Sequence, residues 1–426
     1  MIIKPIDRIR FTQLPMGDKS LTHRALILGA LAEGVTHIQN VGVCLDTMST
    51  INCLRQLGAK ITLNGQYATV TGIVKPNTDC VLDCGNSGTT MQLLAGVVAG
   101  LGIGAKFTGD SSLARRPKQC LSALQLMGAV IEYSDDCLFE IMPSYLKGIT
   151  YTQTAVSAQV KSAILLAGLL AEGKTVYIEP QLTRDHTERM LMYYGANIDR
   201  EETAITITHS SLSAREIYIP NDISTCAYFI ALATQKGKLL LKDVLLNPTR
   251  LGFIELLKYS GAKIKILSVK SNGFEEYGDI LIKKSHIRRL NTDRLAVTNT
   301  IDELPIAMLL SCLTNRKTHF DGIRRLALKE SNRILSMTNL INAVGCHAHC
   351  DNDSMIIDKS KHIIGGNVVT NADHRIAMCA CLAGLLCTTQ VDVDNVQCID
   401  VSCPAFLRML NLGINKPTTD GVSVCD

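Results

Sequence analysis

One phrase returns six times along this chain and limits what it can fold into. Leu57-Gly58-Ala59-Lys60-Ile61 is followed by Met127-Gly128-Ala129-Val130-Ile131 and Tyr194-Gly195-Ala196-Asn197-Ile198. Then come Ser260-Gly261-Ala262-Lys263-Ile264, Val344-Gly345-Cys346-His347-Ala348 and Leu412-Gly413-Ile414-Asn415. The glycines are spaced by 70, 67, 66, 84 and 68 residues. Each follows an apolar-periodic segment, such as Thr47 to Leu57 or Pro117 to Met127, and precedes a strand-like run. Glycine there reads as the C-cap of a helix. Six repeated units follow.

Each unit has room for two helices and several short strands. Candidate strands include Ile61 to Leu63, Ala68 to Val70, Thr175 to Ile178, Ala204 to Thr208 and Lys238 to Leu241. A second class of helix starts in small polar turns: Asn86-Ser87-Gly88-Thr89-Thr90, Ser157-Ala158-Gln159 and Asn221-Asp222-Ile223-Ser224. The segments behind them, Met91 to Leu101, Val160 to Leu170 and Cys226 to Ala233, are apolar nearly all round, which predicts burial inside a domain. The chain is α/β, but no Gly-x-Gly-x-x-Gly supports a dinucleotide fold. A buried helix still has orphan amides at its start, which need water or a ligand. Several such starts on one side would make a surface suited to a multiply anionic substrate.

Composition removes other classes. The 426 residues suffice for two or three domains, and 46% apolar content fills their cores. A formal charge of +4, with no basic block, argues against a polybasic nucleic-acid binder. Trp is absent and aromatics are 4%, so ring stacking is a poor basis for binding. Met1-Ile2-Ile3-Lys4-Pro5 lacks a signal-peptide run, and the longest apolar stretches, such as Ala163 to Leu170, are too short to span a membrane. The expected location is cytoplasmic, and the sixteen cysteines are expected to be mostly buried thiols. Cys346-His347-Ala348-His349-Cys350 is the one plausible metal tract, yet strand alternation would put its cysteines and histidines on opposite faces. Cys80 and Cys84 lack a matching second pair.

Charged residues gather at the predicted helix starts. Pro15-Met16-Gly17-Asp18-Lys19-Ser20 precedes a helix that Asp18 or Ser20 would cap, with Lys19 at its start and Arg24 a turn on. Arg116 precedes Pro117, placed to occupy a first helical turn. Lys161 is a lone cation in an apolar run and calls for a ligand or a carboxylate partner. Asp185 and Glu188 have the spacing of a capping box, with Arg184 just outside. Asp302 and Glu303 precede Leu304-Pro305, where they suit either capping or acid–base work. Lys329 and Arg333 would stand one turn apart if helical, beside Glu330. Asp373-His374-Arg375 opens the last apolar helix.

These phrases, taken in order, resemble the 3-phosphoshikimate 1-carboxyvinyltransferase family of enolpyruvyl transferases, also called 5-enolpyruvylshikimate-3-phosphate synthases. The matches are Gly17-Asp18-Lys19-Ser20 with His23-Arg24, Gly85-Asn86-Ser87-Gly88-Thr89, Arg116-Pro117 and Ser157 through Ser162. They continue through Arg184-Asp185-His186-Thr187-Glu188, Ile301-Asp302-Glu303, Lys329-Glu330-Ser331 and Asp373-His374-Arg375. UDP-N-acetylglucosamine enolpyruvyl transferases fit much less well. The resemblance implies a two-domain inside-out α/β barrel, with three pseudo-repeats per domain and buried parallel helices directed at an interdomain cleft holding the active site. It assigns 1–16 plus 222–426 to one domain and 17–221 to the other, with a hinge near Met16 and Pro220.

It implies transfer of the enolpyruvyl group of phosphoenolpyruvate to the 5-hydroxyl of shikimate 3-phosphate, by addition then elimination, with release of inorganic phosphate. By the same resemblance, shikimate 3-phosphate meets Lys19, Ser20, Arg24, Ser157, Ala158, Gln159, Thr183, Arg184, Asp302 and Lys329. Phosphoenolpyruvate meets Lys19, Asn86, Gly88, Thr89, Arg116, Gln159, Arg333 and Arg375. Lys161 and His374 support them. Glu330 would exchange the proton at C3, Asp302 would handle the hydroxyl proton and Lys19 would neutralise the departing phosphate. No metal or organic cofactor is implied. Glyphosate is implied as an inhibitor, and the chain as a monomer. The chain departs from the family pattern at Met16, at Gln92 and Ala327 where arginines are usual, at Asn332 where aspartate is usual, and at Val401. These departures leave a divergent paralogue with another anionic acceptor, or an inactive anion-binding scaffold, as alternatives.

Overall fold

The structure, a computed structural model, describes residues 1–12, 16–154, 156–360 and 362–414, with the backbone alone for 10–12 and 412–414. Pro15, at the head of the first motif, and Asn415, at the end of the sixth repeat, lie outside the described residues. The chain divides into two units. One comprises Met16–Pro220 with Ser271–Glu275, and the other Met1–Pro15, Asn221–Lys270 and Glu276–Asp426.

The described residues of the unit formed by Met16–Pro220 hold seven helices: α1 (Lys19–Leu31), α2 (Leu45–Gln56), α3 (Gly88–Leu101), α4 (Ser111–Arg115), α5 (Cys120–Leu126), α6 (Ala158–Leu170) and α7 (His186–Tyr194). Three four-stranded sheets surround them. In the first, strands run in the order Glu216–Tyr218, Val35–Gln39, Tyr67–Thr71, Lys60–Asn64. Its closing strand comes from the end of the unit and pairs parallel, with Ile217 opposite Ile38. Along Val35–Gln39 buried and exposed residues alternate, so one sheet face packs inward and the other meets water. Helices inside and sheets outside make an inside-out α/β barrel.

α1, α3 and α6 are buried along most of their length. They start where a short polar side chain caps an orphan amide: Asp18 accepts from Leu21 N, Ser87 from Thr90 N and Ser157 from Val160 N. Such a cap stabilises a helix by about 1 kcal/mol. α3 and α6 approach closely because Gly96 has no side chain. A Cβ there would lie 2.2 Å from the Ala163 carbonyl oxygen. At the front, hydroxyls link three helices. His23 Nδ1 lies 2.7 Å from Thr50 Oγ1, which lies 2.7 Å from Thr90 Oγ1, and Thr90 donates to Ser87.

The other unit holds α8 (Ile223–Lys236), α9 (Gly252–Tyr259), α10 (Val297–Thr300), α11 (Leu304–Ser311), α12 (Arg333–Ala343), α13 (His374–Leu386) and α14 (Phe406–Ile414). Its three sheets have four, three and three strands. Ile2–Ile3 pairs with Val391–Val393, and Ile9–Thr12 pairs parallel with Gly237–Leu245, so both first strands belong to this unit. α8, α12 and α13 are capped by Asp222, Asn332 and Asp373.

The repeat glycines at 58, 128, 195, 261 and 345 all have φ between 83° and 108°, the left-handed conformation that ends a helix. Gly413 instead lies within α14. Three further sequence expectations need correction. Pro117 sits between α4 and α5 rather than in a first helical turn, because the separate short helix Ser111–Arg115, capped by Asp110, precedes it. Asp185 precedes α7 without a side-chain cap; its carboxylate pairs with Arg189 at 2.7 Å, while Glu188 turns to Lys161. Lys329 and Arg333 do not share a helix, because α12 begins only at Arg333. No helix among the described residues is long and apolar enough to cross a membrane.

Gly96→Ala should lower stability by about 1–3 kcal/mol, since α3 and α6 must separate to admit the methyl group; urea unfolding of the two proteins measures the difference. His23 provides a second test. Burial, then the nearby charges of Lys19 and Arg24, hold its imidazole well below the ordinary value of 6.5. The unfolded chain therefore binds the proton first as pH falls, and stability declines from about pH 6.5 downward. His23→Asn should show a shallower decline over this range when unfolding midpoints are followed from pH 7 to pH 5.

Candidate functional site

The starts of the buried helices in the Met16–Pro220 unit stay partly accessible. Lys19, Ser20, Asn86, Gly88, Thr89, Ser157, Ala158 and Gln159 are half-buried, while the turns behind them are closed off. Lys19 is the first residue of α1, and its ammonium pairs with Asp46 Oδ2 at 2.8 Å. Arg24 is only 5% exposed. Its Nε donates to Thr187 Oγ1 at 2.7 Å, Nη2 to Ser162 Oγ at 2.8 Å and Nη1 to the Ser20 carbonyl at 2.9 Å. It therefore ties the fronts of α1, α6 and α7 together.

Gln159 Nε2 donates to Thr89 Oγ1 at 3.0 Å, and Gln92 Nε2 donates to Gln159 Oε1 at 3.2 Å. The residue that departs from the family arginine thus has a place in the network between α3 and α6. Arg116 Nη2 donates to Asn86 Oδ1 at 2.6 Å, and Asn86 Nδ2 donates to Asp110 Oδ2 at 2.7 Å. Arg116 and Arg184 are both half-buried. Thr183 is 2% exposed, and its hydroxyl donates to Glu179. The lone lysine, Lys161, is fully buried and lies 2.8 Å from Glu179 and 2.7 Å from Glu188. A carboxylate partner, not snorkelling, accounts for it.

The other unit carries a second cluster. Asp302, just before α11, has three cations around it: Lys329 Nζ at 3.4 Å, Arg333 Nη1 at 3.9 Å and Arg375 Nε at 3.9 Å from its Oδ1. Arg375 Nη1 also donates to the Asp302 carbonyl at 2.8 Å. Arg333 Nη2 donates to Glu330 Oε2 at 2.5 Å, and Nε and Nη2 grip Asp373 at 2.8 and 3.1 Å. Asp373 in turn accepts from Ser331 and from the amide of Arg375. One buried carboxylate thereby orients Arg333 and caps α13. His374, next to it, is buried.

Neighbouring charges and burial act in opposite senses here. Burial works against the Arg333 cation, but Asp373 and Glu330 outweigh it and raise its affinity for the proton. Arg375 is likewise held above the ordinary value despite burial, chiefly by Asp302. For Asp373, burial opposes ionisation, yet Arg333 brings the carboxyl below its ordinary value. A carboxylate pair bound among fixed guanidinium groups can accept and return protons beside anion-binding arginines.

Asn332 caps α12, accepting from Leu335 N at 3.2 Å. Asparagine and aspartate are nearly equivalent at that position, which explains one departure. Ala327 is half-buried in the 3-10 turn Arg324–Leu328, and Val401 ends the turn Gln397–Val401; nothing in the structure explains either substitution. Sequence reasoning missed Asp46, Thr50, Glu179 and Arg200, each of which has a charged or hydroxyl partner more than 15 residues away in the chain.

The Cys346–Cys350 tract alternates as its strand pattern requires: Cys346 and Ala348 are buried, and both histidines are exposed. Among the described residues, the one group able to gather ligand atoms is Asp185, His186 and Glu275. There His186 Nδ1 and Glu275 Oε1 lie 2.6 Å apart and Arg189 neutralises Asp185, so the polar atoms already serve one another. Every described cysteine is free.

Comparison with known proteins agrees with this arrangement. Residues 3–410 match the sequence profile of EPSP synthase (3-phosphoshikimate 1-carboxyvinyltransferase). The 3-phosphoshikimate 1-carboxyvinyltransferase of Carboxydothermus hydrogenoformans is 40% identical over 403 residues, 92% of this chain and 94% of that protein. That of Bacillus velezensis is 38% identical over 408 residues, covering 93% and 95%. The solved EPSP synthase of Acinetobacter baumannii superimposes with a TM-score of 0.84 at 34% identity, covering 97% of each chain. With its six-unit architecture and both polar clusters in place, the chain belongs to the EPSP synthase (3-phosphoshikimate 1-carboxyvinyltransferase) family.

Proposed function

We propose that this chain carries out its family's reaction, transfer of the enolpyruvyl group from phosphoenolpyruvate to the 5-hydroxyl of shikimate 3-phosphate, with the labour divided between the two clusters. Lys19, Ser20, Arg24, Ser157, Ala158, Gln159, Thr183 and Arg184 serve shikimate 3-phosphate, together with Asp302 and Lys329. Lys19, Asn86, Gly88, Thr89, Arg116, Gln159, Arg333 and Arg375 serve phosphoenolpyruvate. Arginine suits both, because its planar fork matches carboxylate and phosphate oxygens.

The 5-hydroxyl oxygen attacks C2 of phosphoenolpyruvate, Asp302 takes the hydroxyl proton, and Glu330 delivers a proton to C3. In the tetrahedral intermediate the C2–O bond to phosphate then breaks. C3 returns its proton to Glu330, the enol double bond reforms, and inorganic phosphate leaves against the charge of Lys19 and takes up a proton from solvent, to which Asp302 releases the one it removed from the hydroxyl. The observation that carries this reading is the second cluster, in which Asp302 and Glu330 stand among Lys329, Arg333 and Arg375. Placement of Gln92 and Asn332 in working hydrogen bonds supports activity despite their departure from the family pattern. The proposed working species is a monomer, as the family resemblance implies. Glyphosate, with a phosphonate and a carboxylate, suits the arginines proposed for phosphoenolpyruvate and is expected to compete with it.

Phosphate release by the purified chain should require both phosphoenolpyruvate and shikimate 3-phosphate, with product mass showing the added enolpyruvyl group. Release without the acceptor, or none from folded protein, would refute the reading. Glu330→Gln keeps an acceptor for Arg333 but removes the exchangeable proton. It should lower kcat by about 10²–10⁴-fold while shikimate 3-phosphate binds nearly as before. Equal losses in binding and turnover would remove Glu330 from the proton-transfer role.

A further inference from the structure

The turn carrying Thr183 and Arg184 is held by a carboxylate with no part in the chemistry above. Glu179 follows the strand Lys174–Ile178 and is 1% exposed. Its Oε1 accepts from the Thr183 amide at 3.0 Å and from the Thr183 hydroxyl. Lys161 Nζ lies 2.8 Å from that oxygen, and Arg200 Nη2 donates to the other at 3.1 Å. Glu188 shares both cations, at 2.7 Å from Lys161 and 3.5 Å from Arg200. Two carboxylates and two cations balance here; Lys161, Glu179 and Glu188 are closed to water, where an uncompensated charge would be strongly destabilising, and Arg200 closes the group from a partly exposed position. Burial raises the Glu188 carboxyl, with Lys161 acting in the opposite sense.

This network has two consequences for the turn. The Thr183 amide and hydroxyl are fixed together, which sets where the next residue, Arg184, leaves the backbone. A phosphate offers only acceptors, so a hydroxyl whose proton is given to Glu179 cannot also donate it to a phosphate. The direct contact then passes to Arg184, while Thr183 transmits position. We propose that Glu179 is a positioning residue for the phosphate of shikimate 3-phosphate, acting through Thr183 on Arg184; this rests on the assignment of that turn to the phosphate. Lys161 and Arg200 hold Glu179 in place from its two oxygens. Preorganisation of this kind improves binding by removing the need to order the turn.

Binding of shikimate 3-phosphate and of shikimate, which has the same ring without the phosphate, separates the possibilities when titrated into the full-length chain. Glu179→Gln should weaken shikimate 3-phosphate about tenfold, the loss of a charge-assisted hydrogen bond, and leave shikimate within about twofold. Thr183→Val should show the same selectivity, and the double variant should be no weaker than the worse single one. Equal weakening of both ligands would reduce Glu179 to a structural role, and additive losses would separate it from Thr183; either overturns the proposal. If Glu179→Gln does not fold, Arg200→Gln, altering a partially exposed partner, decides: a selective loss sustains the proposal and wild-type affinities overturn it. A wild-type chain that binds shikimate 3-phosphate no better than shikimate would instead refute the underlying phosphate assignment.

Discussion

A helix enclosed by protein along its sides still ends in amides that no intrahelical carbonyl can satisfy. In this chain that constraint is met in one repeated way. Asp18, Ser87 and Ser157 cap α1, α3 and α6, and Asp222, Asn332 and Asp373 cap α8, α12 and α13. The caps take only part of the unsatisfied potential. What remains in each unit is a set of partly positive helix starts, with lysines, arginines or glutamines on or beside them, chemically disposed to anions.

Within the unit containing Asp302, the same economy of groups organises the chemistry. Asp373 caps α13 and at the same time fixes Arg333, and Arg333 then holds Glu330. The orientation of a carboxylate proposed to move protons therefore depends on a helix cap two contacts away. In the other unit, Arg24 links Ser20, Ser162 and Thr187, so three helix starts share one guanidinium. In both networks the buried charges have polar partners, carboxylates around Arg333 and neutral oxygens around Arg24, as their exclusion from water requires.

The capping box read from Asp185 and Glu188 illustrates where local reasoning fails. The spacing is right, and an isolated helix would be expected to use it. Glu188 instead faces Lys161, because a fully buried ammonium attracts a carboxylate more strongly than an exposed amide does. Glu179 was invisible for a related reason. It ends a strand in the way an exposed residue would, and only its approach to Lys161, Thr183 and Arg200 shows its task.

The sequence by itself determined the number of units, the helix ends at five of the six repeat glycines, the burial of the Ala- and Leu-rich helices, and the residues at their starts. All of these follow from local rules: a left-handed C-cap needs glycine, an all-apolar helix must be enclosed, and short polar residues cap. Tertiary structure alone decided which charges meet. The pairings of Lys19 with Asp46, Arg24 with Thr187, Arg333 with Asp373 and Arg200 with Glu179 span 27, 163, 40 and 21 residues. Such contacts leave no periodicity in the chain, because a buried charge needs a partner nearby in space and sets no condition on where that partner lies in sequence.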